Sequence, residues 1–158
     1  MASWRDVEAS APELAAVARG FFDAHGHKTL ATLRRDGSPR ISGQEAWFWD
    51  GELWFGSMWQ ARKARDVQRD ARFALHSASE DPDVWRGDAK VSGRAEEITD
   101  SARFAEVAGA RTGETPSGPW HLFRADVLEL VVVTLPPERD RLLIDVWTPA
   151  GGVRRIER

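Results

Sequence analysis

A chain of 158 residues with a formal net charge of -3 and an isoelectric point near 5.8 fits one ordinary domain, and it lacks the global basic field by which nucleic-acid-binding proteins gather phosphates. With no cysteine there is no disulfide framework, no thiolate nucleophile and no thiolate metal site, which suits a reducing compartment. No stretch reaches membrane-spanning length and no apolar segment follows a basic start, so the expectation is a soluble, cytoplasmic protein with neither a membrane nor a nucleic-acid partner. Eight Trp beside no Tyr demand large rigid apolar surfaces, either in a core and a dimer interface or as walls for a flat conjugated ring.

Taken in chain order, Ser10-Ala-Pro-Glu13 reads as a capping box with Pro near the first helical position, predicting a helix to about Ala24 with Leu14, Val17, Ala18, Phe21 and Phe22 on one face. His25 and His27 flank Gly26 at its end. A helix C-terminus accounts for both, and no further ligand stands nearby in sequence, so no metal is expected. Residues 28–34 alternate as a strand, Asp36-Gly37 turns the chain back into 40–49, and Asp50-Gly51 turns it again, an antiparallel meander. In the second strand Glu45, Trp47 and Trp49 share one face and Gln44, Ala46 and Phe48 the other. Both faces are apolar near the strand end, which predicts burial by a barrel interior on one side and a partner subunit on the other.

The third strand delivers Ser57 to a short helix, residues 60–69, with Ala61, Ala64 and Val67 inward and Arg62, Lys63 and Arg65 elsewhere. A hydroxyl and cations at a helix start suit an anion such as a phosphate, because free N–H groups and the helix dipole both favour negative charge there. The simpler reading of such a charge run is a solvated face. Further strands are predicted at 71–79, with His76 midway, and at 88–97. Thr99-Asp100 caps a helix to about Arg111. The Gly, Pro, Ser and Thr of 113–119 form the candidate mobile loop over a ligand, and Trp120-His121 behind it is either a loop-to-strand anchor or a ligand contact. Strands at 127–135 and 141–147 and a last edge strand at 153–158 complete the chain. Dinucleotide and phosphate-loop glycine motifs, a nucleophile triad and paired catalytic carboxylates are all absent from the sequence.

Phe55-Gly56-Ser57 followed by Arg62-Lys63, with Thr29–Arg40 as a first hairpin and Gly87–Arg94 as a central strand, resembles the flavin-binding split-barrel family: pyridoxamine 5′-phosphate oxidase and the actinobacterial reductases that use FMN or the deazaflavin F420. The resemblance implies a mainly β fold with flanking helices, an antiparallel six- to eight-stranded split β-barrel in one domain. Residues 1–27 would be its N-terminal helix, 28–98 the cofactor-binding barrel core, and 99–158 a helix, a loop and the C-terminal strands. It further implies that Ser57, Arg62 and Lys63 hold a coenzyme phosphate within reach of Arg40. Ser42, Gln44, Trp47 and Gly56 would line the ring, and Lys90 and Trp120 would contribute across a homodimer interface. The implied activity is an FMN- or F420-dependent oxidoreductase passing a hydride to a small conjugated acceptor. A non-catalytic binder of flavin, F420 or haem is the alternative, and a structural dimer with a decayed site the third possibility. The segment Leu142–Pro149 and the ending Arg154–Arg158 do not resemble the substrate-binding segment of pyridoxamine phosphate oxidase and are closer to the short actinobacterial reductases, so oxidation of vitamin B6 is not expected.

Overall fold

A computed structural model describes residues 2–113 and 118–158. The chain opens on α1 (Trp4–Ser10), capped by Ser3, whose hydroxyl accepts from the Asp6 N–H while the Asp6 carboxylate accepts from the Ser3 N–H. The capping box therefore stands seven residues before the predicted one. Ser10 ends α1 with its hydroxyl donating to Asp6 O and accepting from Trp147 Nε1, so it is unavailable to cap α2 (Pro12–Asp23). Proline at the first position of α2 supplies the start, and the single helix expected over residues 10–24 is the second of two. Leu14, Ala15, Ala18 and Phe22 are its buried face; Val17 points to solvent.

β1 (His27–Leu33), β2 (Pro39–Trp49) and β3 (Glu52–Met58) form the expected meander. Its second turn has φ 52° at Asp50 and 70° at Gly51, the doubly left-handed geometry that an Asp-Gly pair permits and that matches strand twist. α3 (Arg62–Arg69) then leads into β4 (Arg72–His76) and β5 (Gly87–Glu97). α4 (Ser101–Thr112) is capped by Asp100, whose carboxylate accepts from the Arg103 N–H at 2.8 Å, and ends at Gly113 with φ 72°. β6 (Trp120–Thr134), β7 (Leu143–Thr148) and β8 (Gly152–Glu157) follow. Residues 114–117 of the predicted loop lie outside the described residues.

All eight strands are antiparallel in the order β3-β2-β1-β4-β5-β6-β7-β8, and β3 pairs with β6 to close six of them into a barrel. β6 makes the split: residues 120–125 pair with β3, residues 130–134 with β7. Between these two partners the β5–β6 register slips by one residue at Ser92/Gly93, a bulge that lets one strand serve both sheets. Inside the barrel Phe55 lies 5.4 Å from Phe73 and 5.3 Å from Phe123, while Trp4 and Phe22 pack on Phe48 at the end that α1 and α2 close. A second, smaller core gathers Trp54, Val107 and Leu122 with Trp47, Trp49, Ile98, Phe104 and Trp120 under α4. The outer face of β2, expected to meet a partner subunit, is thus covered at Trp47 and Trp49 by a helix of the same chain.

Candidate functional site

The strand pattern puts one open cleft, about 740 Å³, where the outer faces of β2 and β3 meet the start of β6, the first turn of α3 and the end of α4. Its lining comprises His27, Gly43, Gln44, Glu45, Trp47, Gly56, Ser57, Met58, Lys63, Arg111 and Trp120. That size falls within the range of small-molecule sites. Trp120 forms one wall: it packs edge-on against Phe104, ring centroids 4.7 Å apart, and its indole lies directly over Gly56. A Cβ on Gly56 would come within 2.5 Å of Trp120 Cζ3, so glycine at this position is the condition for the wall. Trp47 forms another, with the Arg111 guanidinium stacked 4.9 Å from its ring and ion-paired to Glu45.

Polar atoms around the cleft are poorly matched. Buried polar groups almost always find partners, yet Trp47 Nε1, Trp120 Nε1, Ser57 Oγ and Gln44 Oε1 have none. These are four of the eight such orphans among the described residues, and all four belong to cleft-lining residues. The amide nitrogen of Gln44 is committed to the carbonyls of Gly56 and Glu45, which fixes the orphaned oxygen in place. Lys63 donates to Gly43 O at 2.7 Å, and its partial burial holds the ammonium below the ordinary lysine range against the opposing pull of Glu45. No side chain caps the first turn of α3, leaving its N–H groups to another acceptor. Lys63 and Arg111 face a single carboxylate, Glu45, so the charged side chains of the cleft sum to a positive balance that favours an anionic ligand.

Of the ten residues singled out from sequence, Gln44, Trp47, Gly56, Ser57, Lys63 and Trp120 meet in this cleft. Ser57 does so from inside β3, opposite His121, and not as a cap of α3. Arg40 and Arg62 line a separate cleft of about 450 Å³ with Arg34, Arg35, Arg65 and Arg69. There Arg40 Nε donates to Asp66 Oδ2 at 2.6 Å, and Arg69 and Thr32 complete the shell of that carboxylate. Ser42 stands in β2 opposite Leu30, and Lys90 in β5 opposite His76, with its ammonium 3.1 Å from Asp88. His27, Met58 and Arg111 were not anticipated as site residues. Nothing local in the sequence announces that α4 folds back over β2, which is what brings Arg111 to the cleft.

His121 is buried behind the site. Its Nδ1 lies 2.5 Å from Glu97 Oε1 and its Nε2 accepts from the Gln60 N–H at 3.2 Å, while its ring stacks on Trp59 at 4.7 Å.

The profile of the pyridoxamine 5′-phosphate oxidase family matches residues 14–135. Among solved structures of the same fold, PhzG from Burkholderia lata 383, in complex with tetrahydrophenazine-1-carboxylic acid, is 13% identical with a TM-score of 0.63, over 96% of this chain and 91% of that one. A haem-binding protein from Mycobacterium smegmatis is 18% identical with a TM-score of 0.60, over 92% and 88%. A Clostridium acetobutylicum protein related to general stress protein 26 is 11% identical with a TM-score of 0.58, over 90% and 92%. No curated protein matches.

Proposed function

Because the chain belongs to the pyridoxamine 5′-phosphate oxidase family, we propose that its cleft binds the ring of FMN or F420 and presents it to a small conjugated acceptor for hydride transfer. The observation that carries this reading is the set of orphaned atoms. Two indole N–H donors and a serine hydroxyl match the carbonyl and ring-nitrogen acceptors of a flavin or deazaflavin, and the Gln44 oxygen matches its imide N–H. Trp47 and Trp120 supply flat walls for the ring. Lys63 and the uncapped start of α3 receive the anionic end of the coenzyme.

A bound coenzyme supplies the redox chemistry, and the residues supply orientation and charge. Excluding water from the ring falls to Trp120 and Arg111. Met58, 79% exposed at the cleft rim, and the neighbouring Trp59, 53% exposed, support a homodimer in which a second copy covers the open side.

A second reading, haem sequestration without turnover, is favoured by one observation: the imidazole of His27 stands at the cleft, where it offers an iron ligand, with Lys63 and Arg111 available to propionates. Equilibrium titration of the purified protein with FMN, F420 and haem separates the readings. Micromolar affinity for FMN or F420, with haem weaker, is the expected result. Haem binding that His27→Ala abolishes, with no flavin or F420 uptake, supports the second reading, and failure of all three ligands removes both.

A further inference from the structure

Lys63 reaches the cleft from the first turn of α3, and that turn is joined to β3 only by Trp59, Gln60 and Ala61. Gln60 holds a left-handed backbone, φ 62°, a conformation that costs energy outside glycine and needs support from its surroundings. His121 provides it. With 2% of its surface exposed, the imidazole bridges two elements: Nδ1–H donates to Glu97 on β5, and bare Nε2 accepts the Gln60 N–H. Only the neutral Nδ1–H tautomer satisfies both contacts, because a proton on Nε2 would oppose the Gln60 N–H. Gln68 of α3 donates to the other Glu97 oxygen at 2.8 Å, and the Arg65 guanidinium donates to the Gln60 side chain. The groups facing His121 are therefore Glu97 from β5, Gln68 and, through Gln60, Arg65 from α3, Ser57 from β3, and the rings of Trp59 and Phe123.

We propose that His121 is a positioning residue for the coenzyme site: in its neutral tautomer it pins the Gln60 backbone and so sets Lys63 at the cleft, and a proton on Nε2 releases both. Protonation strengthens the contact with Glu97, now a full ion pair, at the expense of the contact with Gln60, so acid trades one anchor for the other. The consequence for the ligand rests on the flavin reading; the consequence for Gln60 does not.

Two substitutions divide the two contacts. His121→Gln places an amide oxygen where Nε2 accepts and has no proton to gain; His121→Asn keeps a donor toward Glu97 and is too short to reach Gln60. In the unliganded protein, amide hydrogen exchange at Gln60, referred to that of the barrel strands, should be faster in acid, at about pH 5, than at about pH 8. It should stay slow in His121→Gln. With FMN as the probe, wild-type affinity should fall by about tenfold more than that of His121→Gln over the same interval, the loss expected for one backbone hydrogen bond. The phosphate of FMN itself changes charge near pH 6, a background common to all variants. His121→Asn should bind weakly at both ends. Gln60 exchange that follows the same pH profile in wild type and His121→Gln, or full FMN affinity in a folded His121→Asn, overturns the proposal. If FMN binds no variant at any pH, the flavin reading falls, and the Gln60 exchange profile still decides the role of His121.

Discussion

Residue by residue, the cleft is a set of incomplete hydrogen bonds held in rigid positions. Lys63 adds a cation to it, held on Gly43 O. Replacing it with alanine should weaken FMN or F420 by about 1–3 kcal/mol, the range for a charge-assisted hydrogen bond to an ionised partner, and isothermal titration reads this directly. Gly56→Ala should cost ligand affinity as much as Lys63→Ala with the protein still folded, because the added methyl displaces the Trp120 ring and not the barrel. Asp66 belongs to stability. Burial alone would raise its carboxyl, but hydrogen bonds from Arg40, Arg69 and Thr32 outweigh burial and hold it below the ordinary carboxylate value. A folded-state value that is depressed contributes stability above the ordinary carboxylate range, and that contribution is lost as pH falls from that range through the depressed value. Asp66→Ala should therefore cost about 3 kcal/mol at pH 7, and the difference from wild type in urea unfolding should shrink in acid.

At the scale of elements, α4 decides what the site looks like. Its cap at Asp100 is plain in sequence, and so is its end before Gly113, since both are local chemistry. Its docking on Trp47, Trp49, Trp54 and Trp120 was not legible, because the helix carries no strong apolar stripe and its partners lie on strands far away in sequence. The Arg62-Lys63 pair shows the same limit. Arg62 and Lys63 are neighbours in the chain, yet consecutive helical positions diverge by about 100°, and they face different clefts. The displaced capping box at Ser3 has a local cause: the predicted cap, Ser10, is held by α1 and by Trp147, and only the second of these contacts is distant in sequence. Phe104→Ala removes the edge contact with Trp120 and should destabilise the chain by about 2 kcal/mol, below the full cost of a buried Phe because the ring is only partly covered. Near-ultraviolet circular dichroism should report the loosened Trp cluster.

For the whole molecule, the two Asp-Gly turns and the alternation around them gave the antiparallel meander directly, since both are written locally, while its closure into a barrel came from the family resemblance of the Phe55-Gly56-Ser57 and Arg62-Lys63 motifs. The split, implied by the family resemblance and borne out by the strand order, is not written in turn chemistry or alternation, because it depends on β6 changing partners at a one-residue slip. If a second copy covers the cleft, Met58→Glu should raise the dimer dissociation constant at least about tenfold by burying a charge at the rim, measured by sedimentation equilibrium, and should weaken coenzyme binding in parallel.

On the proposed function, the unpaired indole N–H groups of Trp47 and Trp120 are the donors that a coenzyme ring would satisfy. A nitrogen–proton spectrum of the protein labelled at its eight tryptophan indoles, titrated with FMN and with F420, tests it most directly. The Trp47 and Trp120 signals should shift to hydrogen-bonded positions at saturation with one of the two coenzymes, while those of Trp4, Trp54 and Trp147, already bonded to Glu8, Trp49 and Ser10, stay where they are. Signals from Trp47 and Trp120 that remain unmoved at millimolar FMN and F420 would contradict the account.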